Sequence, residues 1–597
     1  MISEREFLRK LAKAKTEDDK NWLTTKRLID SLSGDLQTLV YSAAIPHWFD
    51  AKILRALNPE LSRRIRGLYS KLQELPFVEP FEGRGHNIHE LTRRLILDYL
   101  WKKERHTYLL LSRNLVAFYE DSMSLAQKKI SPKIKELGKK KFTKKSTREF
   151  QQWVKKNPEI VNTVGSNYQI EYIYHLAIVE SKKGADKIQD LGWKWHDKRD
   201  YRYSELSALV TALSEHVKAK RIKGRALGWE EFFRGLLYFY RYDYLNAKML
   251  FIDVINGNYS DKKLNADSCF RLGKLHERLS ELPEARVRYE EALPLYRAVR
   301  NENGEAHCFH SLGNVHLNLS ELPEAQARYE EALTLYRAVG NKNGEANSIR
   351  SLGDVYLRLS ELSEARARFE EALSLYHAFG DKLGEAYSIN SLGDVHLSLS
   401  ELPEARARFE EALSLYRAVG NKLGEADSLR SLGDMFRRIS QLPGEHTSYE
   451  DAETAYRKAI ELNPSDATTY SALGILLDDL KRYDEAEAIY RKAVELNPAE
   501  VEAHYQLGRH LADENVKKYD DAEKIFLKIL EIDSNHSLTL YCMSCIKSLY
   551  RDSESAFLYL QSAIANGFDR KWAWNDSDLE WIKSDPRFTE IVGTKPE

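Results

Sequence analysis

The chain has little of several features that define common protein classes. Its 597 residues include four cysteines and no run of 18 apolar residues, and 90 lysines and arginines balance 91 acidic residues. Four cysteines in this length do not make a disulfide framework, and without an apolar run we expect no transmembrane helix. The balanced charge gives no general attraction to nucleic acid or anionic membranes. Residues 1–6 are charged where a secretory signal needs apolar residues, so we expect a cytoplasmic protein.

Signatures of catalysis and of bound cofactors are also missing. The sequence holds no Gly-x-x-x-x-Gly-Lys-Ser/Thr phosphate loop and no Gly-x-Ser-x-Gly elbow. His86 and His89 lie three residues apart, but the segment that follows lacks the second histidine of a zinc-protease helix. Cys542 and Cys545 have no second pair to complete a zinc site, so we interpret them as small buried side chains. We therefore predict no enzyme activity, no metal and no cofactor.

What the sequence does contain is a segment repeated with a spacing of forty residues. A Leu-Gly pair is followed, thirteen residues after the leucine, by an alanine, then by an aromatic residue and a second alanine. The leucines are Leu272, Leu312, Leu352, Leu392 and Leu432, and the aromatic residues are Tyr289, Tyr329, Phe369 and Phe409. Glycine and alanine let two helices approach closely, while the leucine and the aromatic ring fill the space beside them. The pattern predicts helix-turn-helix repeats.

These units resemble tetratricopeptide repeats (TPRs) of the forty-residue kind found in kinesin light chain-like and LGN/Pins-like adaptors. The same pattern continues, with less regular spacing, over about nine repeats between residues 228 and 566. The resemblance implies an all-α fold with a right-handed TPR α-solenoid. Residues 567–597, which carry three tryptophans, resemble the C-terminal segment that caps such a solenoid.

The turn after each second helix is predicted to depend on glycine. Gly340, Gly380 and Gly420 suit the end of that helix because glycine takes left-handed backbone angles without strain. Arg300 stands at the equivalent position of the first repeat. We therefore expect that turn to be built differently.

The first 227 residues show helical patterns but no repeat. We predict a winged-helix-like domain over residues 1–100 and a helical region with a lysine-rich segment over 101–227. In the first of these, the pattern indicates a helix from Leu28 to Ala44, followed by two more helices and a pair of strands. The later helices are predicted over 49–57 and 61–75, and the strands flank the turn at 82–85.

Three helices followed by a hairpin is the order of a winged helix. Residues 44–49 and 89–91 resemble the winged-helix segment of STAND-type signalling proteins, which precedes the repeats in that family. This chain departs from the family because it lacks the phosphate loop, so nucleotide-driven switching is not carried over.

Two basic segments can be read as contacts to nucleic acid or to an acidic partner. A winged helix places its third helix in a DNA groove, and lysine clusters bind phosphates in a salt-dependent way. The alternative interpretation of both segments is a solvated surface. The residues concerned are Arg63, Arg64, Arg66, Lys139, Lys140, Lys141, Lys144 and Lys145.

The first helix of each repeat also carries polar residues that packing does not require. Positions two before, two after and six after the leucine share a helical face distinct from the Leu-Gly face. In TPR proteins that face lines the concave groove, and its arginines, asparagines and acids suit a peptide that carries lysine or arginine. The predicted partner-binding residues are His310, Asn314, Arg350, Asp354, Arg358, Asn390, Asp394, Arg430, Asp434 and Arg438.

We therefore predict a scaffold or adaptor that binds a partner peptide or protein segment in this groove, in signalling or regulation and without a membrane role. Two alternatives stay open. One is a nucleic-acid-associated regulator that acts through the winged helix and the lysine cluster. The other is an effector with an unrecognised activity within residues 1–227. The oligomeric state does not follow from the sequence.

Overall fold

The computed structural model describes residues 3–138, 153, 156, 165–196, 203–257, 259–442, 448–498 and 500–594. Most of these residues form α-helices, and the chain divides into two compact units, residues 1–308 and 309–597. No helix within the described ranges is both long enough and apolar enough to cross a membrane.

The first unit begins with helices and one small antiparallel sheet. In chain order these elements are α1 (Glu4–Lys13), α2 (Glu17–Asp30), α3 (Gly34–Ala43), α4 (Ala51–Leu57), α5 (Ile65–Gln73), β1 (Val78–Phe81), β2 (Gly85–Ile88) and α6 (Glu90–Lys103). The strands pair with Val78 opposite Ile88, and a bridge joins Phe49 to His86. A 3-10 turn, Pro59–Leu61, precedes α5.

The single helix predicted from Leu28 to Ala44 is wrong, because the chain turns between α2 and α3. The side-chain amide of Gln37 donates to the backbone carbonyls of Asp30 and Leu32, at 3.3 and 2.8 Å, and so holds this turn. Ser33, in extended conformation, then precedes the first residue of α3. Serine and glycine favour such a turn, and this local preference outweighs the apolar periodicity on either side.

The described residues in the rest of the first unit are mostly helical. It contains α7 (Arg105–Gly138), α8 (Ser166–Val179), α9 (Ser181–His196), α10 (Tyr203–Lys218), α11 (Arg225–Tyr240), α12 (Tyr244–Asn256), α13 (Lys262–Arg278), α14 (Leu282–Ala298) and the beginning of α15 (Glu302–Asn318). One hydrophobic core runs through this unit from Ile29 in α2 to Leu275 in α13. The N-terminal helices and the first repeats therefore share a core.

The second unit continues the repeats and ends in short helices. It contains α16 (Leu322–Val339), α17 (Lys342–Arg358), α18 (Leu362–Phe379), α19 (Lys382–Ser398), α20 (Leu402–Val419), α21 (Lys422–Ser440), α22 (Ser448–Leu462), α23 (Ala467–Asp479), α24 (Tyr483–Leu496), α25 (Val501–Ala512), α26 (Tyr519–Ile532), α27 (Ser537–Leu549), α28 (Ser553–Ala565), α29 (Lys571–Asn575), α30 (Glu580–Lys583) and α31 (Pro586–Val592). From α11 to α28, the described residues form nine helix pairs. The short helices pack on the last pair, where Ile582, Phe588 and Val592 are buried.

The Leu-Gly and aromatic positions pack against each other as predicted. A Cβ atom added at Gly393 would lie 2.5 Å from Cε1 of Phe409, closer than real Cβ contacts allow. The aromatic ring therefore lies directly on the helix backbone, and Phe409 is fully buried together with Ala405 and Ala412. A second contact of this kind, which the sequence analysis missed, places the ring of Tyr376 on the backbone at Gly384.

The expectation that Arg300 forms a different turn is wrong. Its φ is +54°, in the left-handed region, compared with +71° at Gly340. In both turns the following asparagine donates its backbone N–H to a tyrosine carbonyl, at 3.0 Å for Asn301 and 2.9 Å for Asn341. Repeat packing therefore imposes the turn, although a left-handed residue other than glycine costs roughly 1–2 kcal/mol. The turns between first and second helices have the same feature, with φ near +60° at Ser280, Ser320, Ser360 and Ser400.

Candidate protein-binding site

The predicted partner-binding residues lie in the second unit, on α15, α17, α19 and α21, each of which is the first helix of its repeat. We call these residues the first-helix strip. Hydrogen bonds link successive helices along this strip. Nδ1 of His310 lies 3.3 Å from Oγ of Ser348, and Oγ of Ser428 donates to Oδ1 of Asn390 at 2.8 Å. The strip residues are partly buried at its centre, whereas Arg358 and Arg438 are exposed.

Two ion pairs neutralise most of the charge of the strip. Nη1 of Arg350 lies 2.9 Å from Oδ2 of Asp354, and Nη1 of Arg430 lies 3.2 Å from Oδ2 of Asp434. Each pair spans four residues of one helix, the spacing at which helical side chains meet. Each pair is about 30% exposed, so these charges remain within reach of a ligand.

The helix between these pairs carries an acid with no arginine on its own helix. Asn390 stands in α19 where the neighbouring repeats have Arg350 and Arg430, so Asp394 lacks the partner that their acids have. Oδ1 of Asp394 accepts a long hydrogen bond, 3.4 Å, from Oγ of Ser431. Burial, and then the repulsion of nearby aspartates, outweigh the attraction of Arg430 and raise the pKa of Asp394 to about 7. Asp394 is therefore the one acid of α17, α19 and α21 on this strip without an arginine four residues before it.

Asn390 adds a hydrogen-bond donor beside this acid. Its side-chain oxygen is occupied by Ser428, while its amide nitrogen makes no hydrogen bond to any residue that the structure describes. A side-chain amide has two donor hydrogens, so Asn390 can donate to a carbonyl of a bound peptide.

The two exposed arginines of the strip have a structural role. Nη1 of Arg358 donates to the carbonyl oxygen of Leu317 at 2.8 Å, and Nη1 of Arg438 donates to that of Leu397 at 3.1 Å. Both carbonyls lie at the C-terminal end of the first helix in the preceding repeat, where each also accepts the backbone N–H of the turn serine, Ser320 or Ser400, at 3.1 Å. These arginines therefore join consecutive repeats, and their donors are partly used within the protein.

Tyr387 belongs to the same surface and is not among the residues predicted from the sequence. The guanidinium of Arg350 lies 5.7 Å from the centre of its ring, and Nδ2 of Asn421 donates to its hydroxyl at 3.4 Å. Tyr387 lies five residues before its Leu392, a spacing that shares the helical face of positions two before and two after the leucine. That spacing was the signal that would have identified it.

The three arginines that were predicted to lie on the third helix of the winged helix do not all belong to that helix. Only Arg66 lies on α5, because this helix starts at Ile65. Arg64 pairs with Asp35 of α3, and Arg63 and Arg66 are exposed. The lysine cluster, Lys139, Lys140, Lys141, Lys144 and Lys145, lies outside the described residues.

One group of potential metal ligands occurs among the described residues, at the C-terminal end. One ligand atom each from Cys545, Asp576 and Asp578 lies within 4.8 Å of the others. Burial raises the pKa of the Cys545 thiol well above its ordinary value, which opposes the thiolate that a metal needs. The hydroxyl of Tyr541 also donates to Asp576 at 2.6 Å. The group fits a hydrogen-bonded contact between α27 and the segment that joins α29 to α30.

A buried polar network joins the predicted winged-helix segment to later helices of the first unit. Nδ1 of His47 lies 2.7 Å from Glu171 of α8, and its Nε2 lies 3.2 Å from Glu215 of α10. Arg93 of α6 donates to both oxygens of Glu215, and the Tyr174 hydroxyl donates to the same carboxylate. Burial opposes the charge of His47, but the two glutamates outweigh it and raise its pKa. No local sequence pattern indicated these contacts.

Family models match the repeat region of the chain. Two models described as tetratricopeptide repeat match residues 262–338, 305–378 and 383–462, and residues 444–500 and 471–537. A comparison with curated proteins finds no match.

Three similar solved structures illustrate the range of neighbours. The TPR protein YrrB, whose structure is described as having an unusual peptide-binding site, is 24% identical over 34% of this chain and 93% of its own, with a TM-score of 0.24. Apo RapI is 14% identical over 45% and 97%, with a TM-score of 0.39. A STAND protein with a TPR sensor from Pyrococcus horikoshii is 13% identical over 85% and 67%, with a TM-score of 0.43.

Proposed function

Since the chain carries tetratricopeptide repeats, we propose that it is a scaffold that binds a segment of another protein along the first-helix strip. We further propose that a lysine or arginine of this segment contacts Asp394. The observation that carries the proposal is the carboxylate of Asp394, which lies between two neutralised ion pairs and has no arginine on its own helix.

A cationic side chain is the ligand that this position favours. Burial penalises the ionised form of Asp394, and a nearby positive charge would restore it and form a charge-assisted hydrogen bond. A hydrogen bond to a charged group contributes about 1.5–3 kcal/mol, or roughly 10- to 100-fold in affinity. Asn390 would hold the backbone of the same segment, and Tyr387 would border it.

The first unit supports a regulatory setting for this scaffold. Its helices α3, α4 and α5, followed by β1 and β2, have the order of a winged helix, a module that packs against protein in the signalling family it resembles. We therefore propose a role in signalling or regulation, with the repeats as the partner-binding part of the protein.

The proposal is tested by selecting peptides from a randomised display library against the full chain. We expect the selected peptides to share a lysine or arginine. The variant Asn390→Arg introduces the residue that both neighbouring repeats carry, so it should fold normally, neutralise Asp394 and weaken binding by about 10-fold or more. Asp394→Asn should have a similar effect.

A matched control removes one negative charge elsewhere in the same unit. Glu404 is exposed on the second helix α20, away from the strip, and Glu404→Gln should leave peptide affinity unchanged. Selected peptides without a shared cation, or equal affinity for Asn390→Arg and the unaltered protein, would overturn the proposal.

A further inference from the structure

An apolar stripe lies on α12, the second helix of the first helix pair. Tyr242, in the turn before this helix, is 78% exposed. Along the helix, Leu245, Met249 and Ile252 are 72%, 57% and 36% exposed. Spacings of four and three residues place these three side chains on one face, and we call the four residues the apolar stripe. Exposed apolar groups that lie together on a soluble protein mark an interaction site.

The apolar stripe departs from the residues that later second helices have at the same positions. Ile252 stands where α14, α16, α18 and α20 have glutamate, and Met249 stands where the last three have alanine. Tyr242 replaces a turn serine, and Leu245 replaces a proline or a serine. Helix α12 still packs on α11 as later pairs do, with the ring of Phe251 against the backbone of α11. The packing of the repeats therefore does not require the apolar stripe.

An acid beside the apolar stripe lacks the partner that its counterparts have. In α14, α16, α18 and α20 a glutamate pairs with the arginine three residues before it, as Oε2 of Glu291 does with Nη1 of Arg288 at 2.7 Å. Helix α12 has Asp253 at the glutamate position and Leu250 at the arginine position. Asp253 is exposed, and its carboxylate forms no ion pair with any residue that the structure describes.

A basic residue lies at the other end of the apolar stripe. Arg241 directly precedes the stripe and is exposed, and the four following repeats have leucine at this position. Its Nε donates to the hydroxyl of Tyr203, and a guanidinium has five donor hydrogens, so others remain for a second acceptor. The two ends of the stripe therefore carry opposite charges.

The other charged groups beside the apolar stripe already have partners. Nζ of Lys248 lies 3.4 Å from Oε2 of Glu281 at the start of α14. Asp243 accepts the backbone N–H of Asn246 at 3.2 Å and so caps α12. A partner that covers the stripe therefore needs to offer apolar side chains, a cation at one end and an acceptor at the other.

We propose that the apolar stripe binds the same stripe of a second copy of this chain, with the two α12 helices antiparallel about a two-fold axis. Apolar residues that recur at alternating spacings of three and four form the seam between two packed helices. In this arrangement Leu245 of each copy contacts Met249 of the other. Tyr242 of each copy contacts Ile252 of the other.

One register satisfies the charged groups together with the apolar ones. Both apolar pairs are centred on position 247, and so are Arg241 and Asp253. The register therefore places Arg241 of each copy beside Asp253 of the other, at both ends of the seam. A two-fold axis makes one surface complementary to itself in this way.

This dimer surface is independent of the first-helix strip. The apolar stripe and its two charged ends belong to the first unit, whereas the strip belongs to the second. Failure of the dimer therefore leaves the peptide proposal intact, and failure of peptide binding leaves the dimer intact.

The test measures the mass of the full chain by sedimentation velocity at increasing concentration. Small interfaces associate weakly, so the range covers about 1 to 100 µM. We expect the mass to rise from that of one chain to that of two. Larger species should not form, because a two-fold pair is closed.

Variants of the stripe locate the contact. Met249→Ala combined with Ile252→Glu introduces residues that α16, α18 and α20 carry, so this protein should fold normally. It should raise the dissociation constant of the dimer by about 10-fold or more, since both copies lose apolar contacts. Unchanged thermal unfolding of the variant confirms that the fold is retained.

A charge exchange tests the antiparallel register. Asp253→Arg alone places like charges side by side at both ends of the seam and should weaken the dimer by about 10-fold or more. Adding Arg241→Asp restores opposite charges and should restore association. Glu411→Arg makes the matched change at the equivalent position of α20 and should leave association unaltered.

Three results would overturn the proposal. The first is a protein that stays monomeric over the whole concentration range, which would leave the apolar stripe to a different protein. The second is a dimer that the stripe variant does not weaken. The third is a dimer that Asp253→Arg weakens and the added Arg241→Asp fails to restore.

Discussion

Replacing Asp394 with asparagine should change how the stability of the second unit depends on pH. In the folded protein the pKa of this carboxyl is raised from 3.8 to about 7. A raised folded-state pKa means that the group's contribution to stability is fully present below about pH 4 and is lost as pH rises through 7. The asparagine variant has no titrating group at this position. Its stability relative to the unaltered protein should therefore increase between pH 4 and pH 8.

The magnitude follows from the pKa difference. Each pKa unit corresponds to about 1.4 kcal/mol, so a move from 3.8 to about 7 sets an upper limit of about 4 kcal/mol. Asp394 is only partly buried, and water reduces the penalty on its ionised form. We expect the free energy of unfolding of the variant to gain about 2 kcal/mol on the unaltered protein across this pH range.

Hydrogen exchange followed by mass spectrometry measures this effect locally. Repeat arrays can open in parts, so the exchange of amides in α19 reports the relevant stability better than a global transition. Comparing variant and unaltered protein at each pH cancels the intrinsic pH dependence of exchange, and Glu404→Gln controls for the lost charge. A stability difference in α19 that stays constant from pH 4 to pH 8, or that shrinks as pH rises, would refute the reasoning.

Three further predictions concern stability and aggregation. Gly393→Ala should lower the free energy of unfolding by about 1–3 kcal/mol, since its Cβ would meet the Phe409 ring. Gly67→Ala, which has open space around it, should raise the free energy of unfolding by about 0.5–1 kcal/mol. Equal urea midpoints for the two variants would contradict this prediction. Arg93→Met should lower the free energy of unfolding by about 1–3 kcal/mol, because it removes the charged hydrogen-bond partner of the partly exposed Glu215 carboxylate. Unchanged thermal stability would count against the network. Deleting residues 567–597 should expose apolar surface and cause aggregation that light scattering detects. A truncated protein that stays monodisperse would contradict the assignment of these residues as a cap.

The repeat fold could be predicted because its determinants are local in sequence. The glycine beside Leu392 and the ring of Phe409 lie sixteen residues apart, and the same spacing recurs in the three forty-residue repeats that precede them. The turns were harder to predict, because tertiary packing overrides the residue's own preference. Arg300 and Ser360 take left-handed angles that their side chains disfavour, and their sequences give no sign of it.

The candidate site was predictable in its positions and not in its electrostatics. The positions of Arg350 and Asp394 relative to the leucines of their repeats predict that both belong to the first-helix strip. Spacing does not show that Arg358 is used by a backbone carbonyl, because this contact joins residues forty-one positions apart. The network around His47 spans 124 and 168 positions, and long-range contacts of this kind have no periodic signature.

The equivalence of the glycine and aromatic contacts has an evolutionary consequence. Each ring meets the same atoms in successive repeats, as Phe369 meets Gly353 and Phe409 meets Gly393. Loss or gain of one forty-residue unit by unequal recombination would therefore join surfaces that already fit each other. Such an event would change the length of the polar surface by one helix while leaving both ends of the protein intact. A change in the number of repeats can thus alter which partners the protein accommodates. No intermediate in such a change has to be a protein that fails to fold.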